Sequence, residues 1–254
     1  MNVEYVASMI AQTQAIILRI IDYQESSKII TVLSREHGKI ALIARGVKKP
    51  KSKLSGLIDL GNILDVVYYY KSTRGVQSLT EASISYSNHN FRIDFEKAAI
   101  LYGTLELAGQ ILHENEVNEI VYSFLSKFIR WIGDEKQVDP SIFCYVQVRC
   151  TDLCGFTIDD KDTDLNQDVF LNISEGTISN AFVSELSYKL TVLQARFLKE
   201  AISSKKRSVF SLGLKGLELK QLIRHLDVYF KYHIEGYKER RSDSIFEQML
   251  QESK

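Results

Sequence analysis

Seven basic side chains, Arg35, Lys39, Arg45, Lys48, Lys49, Lys51 and Lys53, fall within nineteen positions that hold one acidic residue, Glu36, a local charge of +6. A cluster of this kind attracts polyanions. Within the stretch RGVKKPKSKLSG, Gly46, Pro50 and Gly56 break regular structure and Ser52 and Ser55 can donate to phosphate oxygens. Four lysines between 48 and 53 are suited to following a sugar-phosphate backbone rather than reading base edges. Attraction of this type is largely independent of sequence and falls with salt, because each neutralised phosphate releases a counterion. The plainer alternative is a solvated loop whose lysines serve solubility. Tyr68 and Tyr70 fall two apart in an extended run, so they share one face while Tyr69 takes the other. The pair is a candidate for base stacking, or equally a cover for the core.

Residue patterns that would support catalysis are missing from the chain. It has no Gly-Lys-Ser/Thr phosphate loop, no Gly-x-Gly-x-x-Gly, no His-Glu-x-x-His and no Gly-x-Ser-x-Gly. The expectation is a protein without catalytic residues, cofactor or metal. His37, His89, His113, His225 and His233 are scattered and read as surface or helix-end residues. The acidic run DDKDTDLNQD, 159–168, lacks the glycine and the terminal glutamate of a calcium loop. Cys144, Cys150 and Cys154 have no second pair downstream to complete a zinc site and read as small buried apolar residues.

The elements that must carry the basic run follow from periodicity. Across 254 residues, 32 Lys and Arg balance 32 Asp and Glu, with 45% hydrophobic and 25% charged residues, the make-up of a globular protein able to bury a core. The balance conceals a dipole: residues 1–85 hold 11 basic and 7 acidic side chains, so that segment is +4 and the remainder −4. An odd cysteine count suits a reducing compartment, and the start lacks the basic-then-apolar pattern of an export signal, so the cytoplasm is expected. Within 1–85, TQAIILRIIDY, KIITVLSREHGKIALIARG, NILDVVYYYKS and VQSLTEASISY read as about five strands, with a hairpin from Ile29–Leu33 through the turn at Gly38 to Lys39–Ala44. A sheet this small hides its edges best by closing, which favours an OB-type barrel. From residue 86 the period becomes helical: 94–114, 117–135, 139–156, 184–203 and 214–237 predict helices, with an extended insertion near 159–180. The fold class is therefore α+β, an OB-fold domain at 1–85 followed by a mainly helical domain at 86–254.

The segment TQAIILRIIDYQESSKIITVLSREHGKIALIARGVKKPKSKLSGLIDLGNILDV resembles the amino-terminal domain of the bacterial recombination mediator family RecO. DLCGF and YFKYHIEGYKERRS extend the likeness along nearly the whole chain. The resemblance implies a non-catalytic role in DNA repair and homologous recombination in the bacterial cytoplasm, associated with the nucleoid. It implies binding of single- and double-stranded DNA, strand annealing, contact with the carboxy-terminal tail of single-stranded DNA-binding protein, and joint action with RecR in loading recombinase. The seven basic residues would then be the DNA contacts. The tail is acidic and apolar-ended, so Arg130 beside Trp131, Arg149, Arg196 and Lys199 are candidate tail contacts, each equally readable as a solvated charge. Many relatives carry a four-cysteine zinc site after the Gly-aromatic step. Here Gly155-Phe156 is followed by no cysteine, so a zinc-free segment packed around Phe156, Phe170 and Ile173 is expected. The alternative function is a protein–protein adaptor that touches nucleic acid incidentally.

Overall fold

The computed structural model describes residues 9–203 and 207–252. By internal contacts the chain divides between residues 135 and 136 into two compact units. The change of period at residue 86 marks the end of the barrel, and the first unit runs on through three helices.

Five strands build the barrel: β1 (Met9–Tyr23), β2 (Ser27–Ser34), β3 (Gly38–Ala44), β4 (Ile63–Tyr70) and β5 (Val76–Tyr86). They close in the order β1-β2-β3-β5-β4, with β3 and β5 parallel and the other pairs antiparallel. This is the OB arrangement expected from the spacing of the strands. The long β1 serves two partners, its first half on β4 and its second half on β2, and a bulge between Ile17 and Arg19 lies where it passes to β2. Alternation fills the interior: Ala15, Ile17, Ile30, Val32, Ile40, Leu42, Ala44, Leu64 and Val66 are buried and form one cluster.

Helices α1 (His89–Arg92), α2 (Phe95–Ile111) and α3 (Glu119–Asp134) complete the first unit. The side chains of Asp94 and Asn118 accept the Lys97 and Val121 amides, at 3.0 Å each, and so satisfy orphan donors at the two helix starts. Helix α2 is buried on most of its faces, including Ala99, Ile100, Leu105 and Leu107, because it has neighbours on several sides. The β2–β3 hairpin meets the α2–α3 connection closely. Gly38 has φ +67°, and a Cβ there would sit 2.0 Å from the Glu116 carbonyl oxygen, so only glycine fits both the turn and the approach.

The second unit holds α4 (Ile142–Cys154), α5 (Val192–Ser203), a short 3-10 turn (Arg207–Leu212), α6 (Gly216–His233) and α7 (Asp243–Glu252). It also holds a small sheet of β6 (Asp159–Asp160), β7 (Val169–Asn172), β8 (Thr177–Ser179) and β9 (Ser187–Leu190) in the order β6-β8-β7-β9. The helix expected over 184–203 begins only at Val192. Ser187–Leu190 instead pairs with β7, and Thr191 and Gln194 cap α5 reciprocally, which stops the helix from starting earlier. Helix α7 has no counterpart in the sequence expectation. Phe156 packs on Phe230 and stacks on His233, whose ring bonds the Ile173 carbonyl at 3.0 Å. His233, the last residue of α6, is thus a helix-end histidine that also joins the small sheet to α6. Arg240 has a fully buried side chain that pairs with Asp227 and Asp243 and lies over the Phe143 ring. Among the described residues no helix is long and apolar enough to cross a membrane.

Candidate nucleic-acid interface

The basic run begins where β3 leaves the barrel. After Ala44 the chain turns through Gly46, at φ +68°, and the Lys48 amide bonds the Ser26 carbonyl at 2.9 Å, fixing the start of the loop against the β1–β2 turn. Successive tight turns follow: Lys49 N to Gly46 O, Ser52 N to Lys49 O, and Ser55 N to Ser52 O, at 3.1–3.2 Å. Lys51 takes a left-handed conformation, φ +68°.

What holds this loop is apolar. Val47 and Ile58 are buried in the barrel cluster, and Leu54 and Leu57 pack against it. The lysines between these anchors are consequently held outward. The loop is an anchored cover on the barrel rather than a free strand of chain, and its backbone sets where the lysines are rooted.

The seven basic residues fall into three groups. Arg45, Lys49, Lys51 and Lys53 are exposed, and among the described residues no carboxylate pairs with them. Lys48 and Arg35 are exposed but engaged, Lys48 with Asp22 at 2.9 Å and Arg35 with Glu119 at 3.0 Å. Surface pairs of this kind contribute little to stability. Lys39 is half-buried and its Nζ donates to the Gly109 carbonyl at 2.9 Å, while its own carbonyl accepts from the Asn115 amide. Burial holds the Lys39 ammonium below the ordinary lysine range, and nearby Glu114 offsets part of that effect. Lys39 thus ties β3 to the α2–α3 connection.

Of the two readings of the aromatic pair, Tyr68 takes the second, as a cover for the core. Tyr68 and Tyr70 do share a face, but it is the inner one: Tyr68 is 0% exposed, with no open ring face for a base. Burial pushes its phenol well above the ordinary range, and its hydroxyl has no hydrogen-bond partner among the described residues. Tyr70 is half-buried and stacks on His37 at 5.7 Å, so His37 too is packed rather than loose in its turn. Tyr69, on the outer face, is 44% exposed.

Of the tail candidates, Arg130 lies in the first unit, on α3, with its guanidinium 5.0 Å from the Tyr86 ring centre. The other three lie in the second unit. Arg149 on α4 pairs with Asp152 one turn on, and Lys199 on α5 pairs with Asp160 at 2.9 Å and donates to the Thr163 carbonyl. Arg196 is exposed on α5. Cys144, Cys150 and Cys154 all sit on α4; burial pushes the first two thiols far up and that of Cys154 to about 11. Among the described residues no group of three or more His, Cys, Asp or Glu side chains is placed to hold a metal ion.

Comparison with known proteins agrees with this architecture. Residues 9–88 match the family model described as Recombination protein O N terminal. The chain is 29% identical to the DNA repair protein RecO of Chloroherpeton thalassium, over 95% of this chain and 100% of the relative. It is 26% identical to that of Chlorobium limicola, over 95% and 99%. Against the RecO of Pelodictyon phaeoclathratiforme the identity is 32%, over 58% of this chain and 57% of the relative.

Removing the unpartnered Tyr68 hydroxyl tests its place in the core. Tyr68→Phe is expected to leave the unfolding free energy unchanged or raise it by about 1 kcal/mol, because no hydrogen bond is lost. Tyr68→Ala is expected to lower it by roughly 3–5 kcal/mol through the cavity left behind. Urea unfolding measures both, and a marked loss with phenylalanine would show that the hydroxyl has a partner.

Proposed function

Because the chain belongs to the RecO family of DNA repair proteins, we propose that it is a non-catalytic recombination mediator. It binds single- and double-stranded DNA, anneals complementary strands, and with RecR helps load recombinase onto DNA coated by single-stranded DNA-binding protein. The observation that supports this most is the anchored loop presenting Arg45, Lys49, Lys51 and Lys53 without carboxylate partners among the described residues.

Annealing requires two polyanions to approach each other while their base edges stay open. Cations fixed on a short loop lower that electrostatic barrier by contacting phosphates, and base pairing then supplies the driving force. Nothing in this scheme consumes a nucleotide. Lys48 and Arg35 join the same interface by exchanging Asp22 and Glu119 for phosphate, whereas Lys39 supports the hairpin that carries them. For the partner tail, Arg196 is the candidate whose charge is open on its helix surface, so an acidic tail peptide is assigned to the α5 face.

Replacing Arg45, Lys49, Lys51 and Lys53 together by alanine is expected to weaken single-strand binding on all sequences alike. It should also reduce the slope of log affinity against log salt by about 3, at roughly 0.7 per phosphate contact. Annealing should slow without any change in the melting curve, and an unaltered salt slope would contradict the assignment. Arg196→Ala is expected to weaken tail-peptide binding several-fold in a fluorescence titration, and an unchanged constant would remove α5 from that role.

A further inference from the structure

The barrel unit has two unlike ends, and β3 runs between them. At Gly38 the β2–β3 turn packs on the α2–α3 connection, and at Ala44 the chain enters the lysine loop. The seven residues of β3 set these ends about 20 Å apart.

The first end is acidic and apolar. Glu36, Glu114, Glu116 and Glu119 are exposed there, opposed by Arg35, which takes Glu119, and by half-buried Lys39. Among these carboxylates Val117 is 54% exposed and Ile120 is 71% exposed. Phe124 lies one turn beyond Ile120 on the same face of α3 and is half-buried, and exposed Lys127 closes that row. The backbone here is tied down: Glu114 bridges to Lys39, the Asn115 amide bonds the Lys39 carbonyl at 2.9 Å, and Asn118 caps α3. Adjacent large aliphatic side chains held in water on an ordered backbone read as a contact surface.

A partner for this end must be basic and must carry apolar groups among its cations. The other end of the same unit has that composition. Arg45, Lys48, Lys49, Lys51 and Lys53 stand there against Glu25 and Asp22, the latter taken by Lys48. Beside them Tyr23 is 40% exposed, and Leu54 and Leu57 are only partly buried. The length of β3 keeps the two ends of one chain apart, so they meet only between copies. We propose that the acidic end of one chain docks on the lysine loop of a second copy. Val117 and Ile120 seat among Tyr23 and the loop leucines, while Glu114 and Glu116 face the loop cations. Each copy carries one of each surface, so the contact is head to tail and either repeats as a chain or closes as a ring. It covers the cations assigned above to phosphate. DNA therefore competes with the second copy, and dilution or salt also opens the loop. The inference goes beyond the nucleic-acid reading and rests on it only for that competition.

Sedimentation velocity of the full chain is the test. From about 1 to 100 µM at low salt, the weight-average sedimentation coefficient is expected to rise by roughly half, returning to the single-chain value near 0.5 M salt, where screening acts within about 4 Å. Glu116→Lys with Ile120→Lys should leave a monomer, and so should Lys49→Glu, Lys51→Glu and Lys53→Glu together. Mixing the two variants should restore association, because each supplies the surface that the other has lost; chains that had merely failed to fold would not do this. A short oligothymidine strand in excess should return the wild type to one chain per strand, and association that persists under saturating strand would overturn the competition. A single-chain mass at every concentration would overturn the contact and leave the acidic end to a basic partner other than this chain. Variants that stay apart when mixed would overturn it too, and in both cases the DNA assignment of the loop would still stand.

Discussion

Burial of Val47 and Ile58 in the barrel cluster is the contact on which the rest depends. Without it, the segment between β3 and β4 would be a mobile polycation whose ordering entropy would oppose each phosphate contact. With it, the loop is ordered before DNA arrives and the outward direction of its lysines is set by the inward direction of its apolar residues. The same cluster fixes the barrel wall on which the loop is seated.

Pairing then decides which charges remain for a ligand. The count of seven basic residues overstates the available field, because Lys39 is turned onto the Gly109 carbonyl and Arg35 and Lys48 have carboxylate neighbours. Of the seven, four have no carboxylate partner among the described residues and two stand in surface pairs. Phosphate contacts made by such charges are largely independent of sequence and weaken with salt.

Much of the barrel was legible because strand alternation and turn chemistry are local signals: the hairpin at Gly38 and the runs either side of it fall where the structure has them. The basic loop was legible as charge but not as structure. Its anchors at Val47, Leu54, Leu57 and Ile58 stand in plain view in the sequence, and their spacing among lysines was the available signal that the loop is held. Tyr68 and Tyr70 were correctly placed on one face, but alternation alone does not say which face is inside. Lys39 was unreadable because its partner at Gly109 lies seventy residues on, in a helix. Ser187–Leu190 reads as helix in the sequence because a short strand followed by a capped helix shows nearly the same apolar spacing as one longer helix.

Lysine acetylation of the full chain, with and without saturating single-stranded DNA, tests the central claim most directly. Lys49, Lys51 and Lys53 are expected to react readily in the free protein and to be protected by DNA, while Lys39 and Lys199, held by carbonyl and carboxylate groups, should react slowly in both states. Undiminished reactivity of the three loop lysines in the presence of bound DNA would show that the strand lies elsewhere on the molecule.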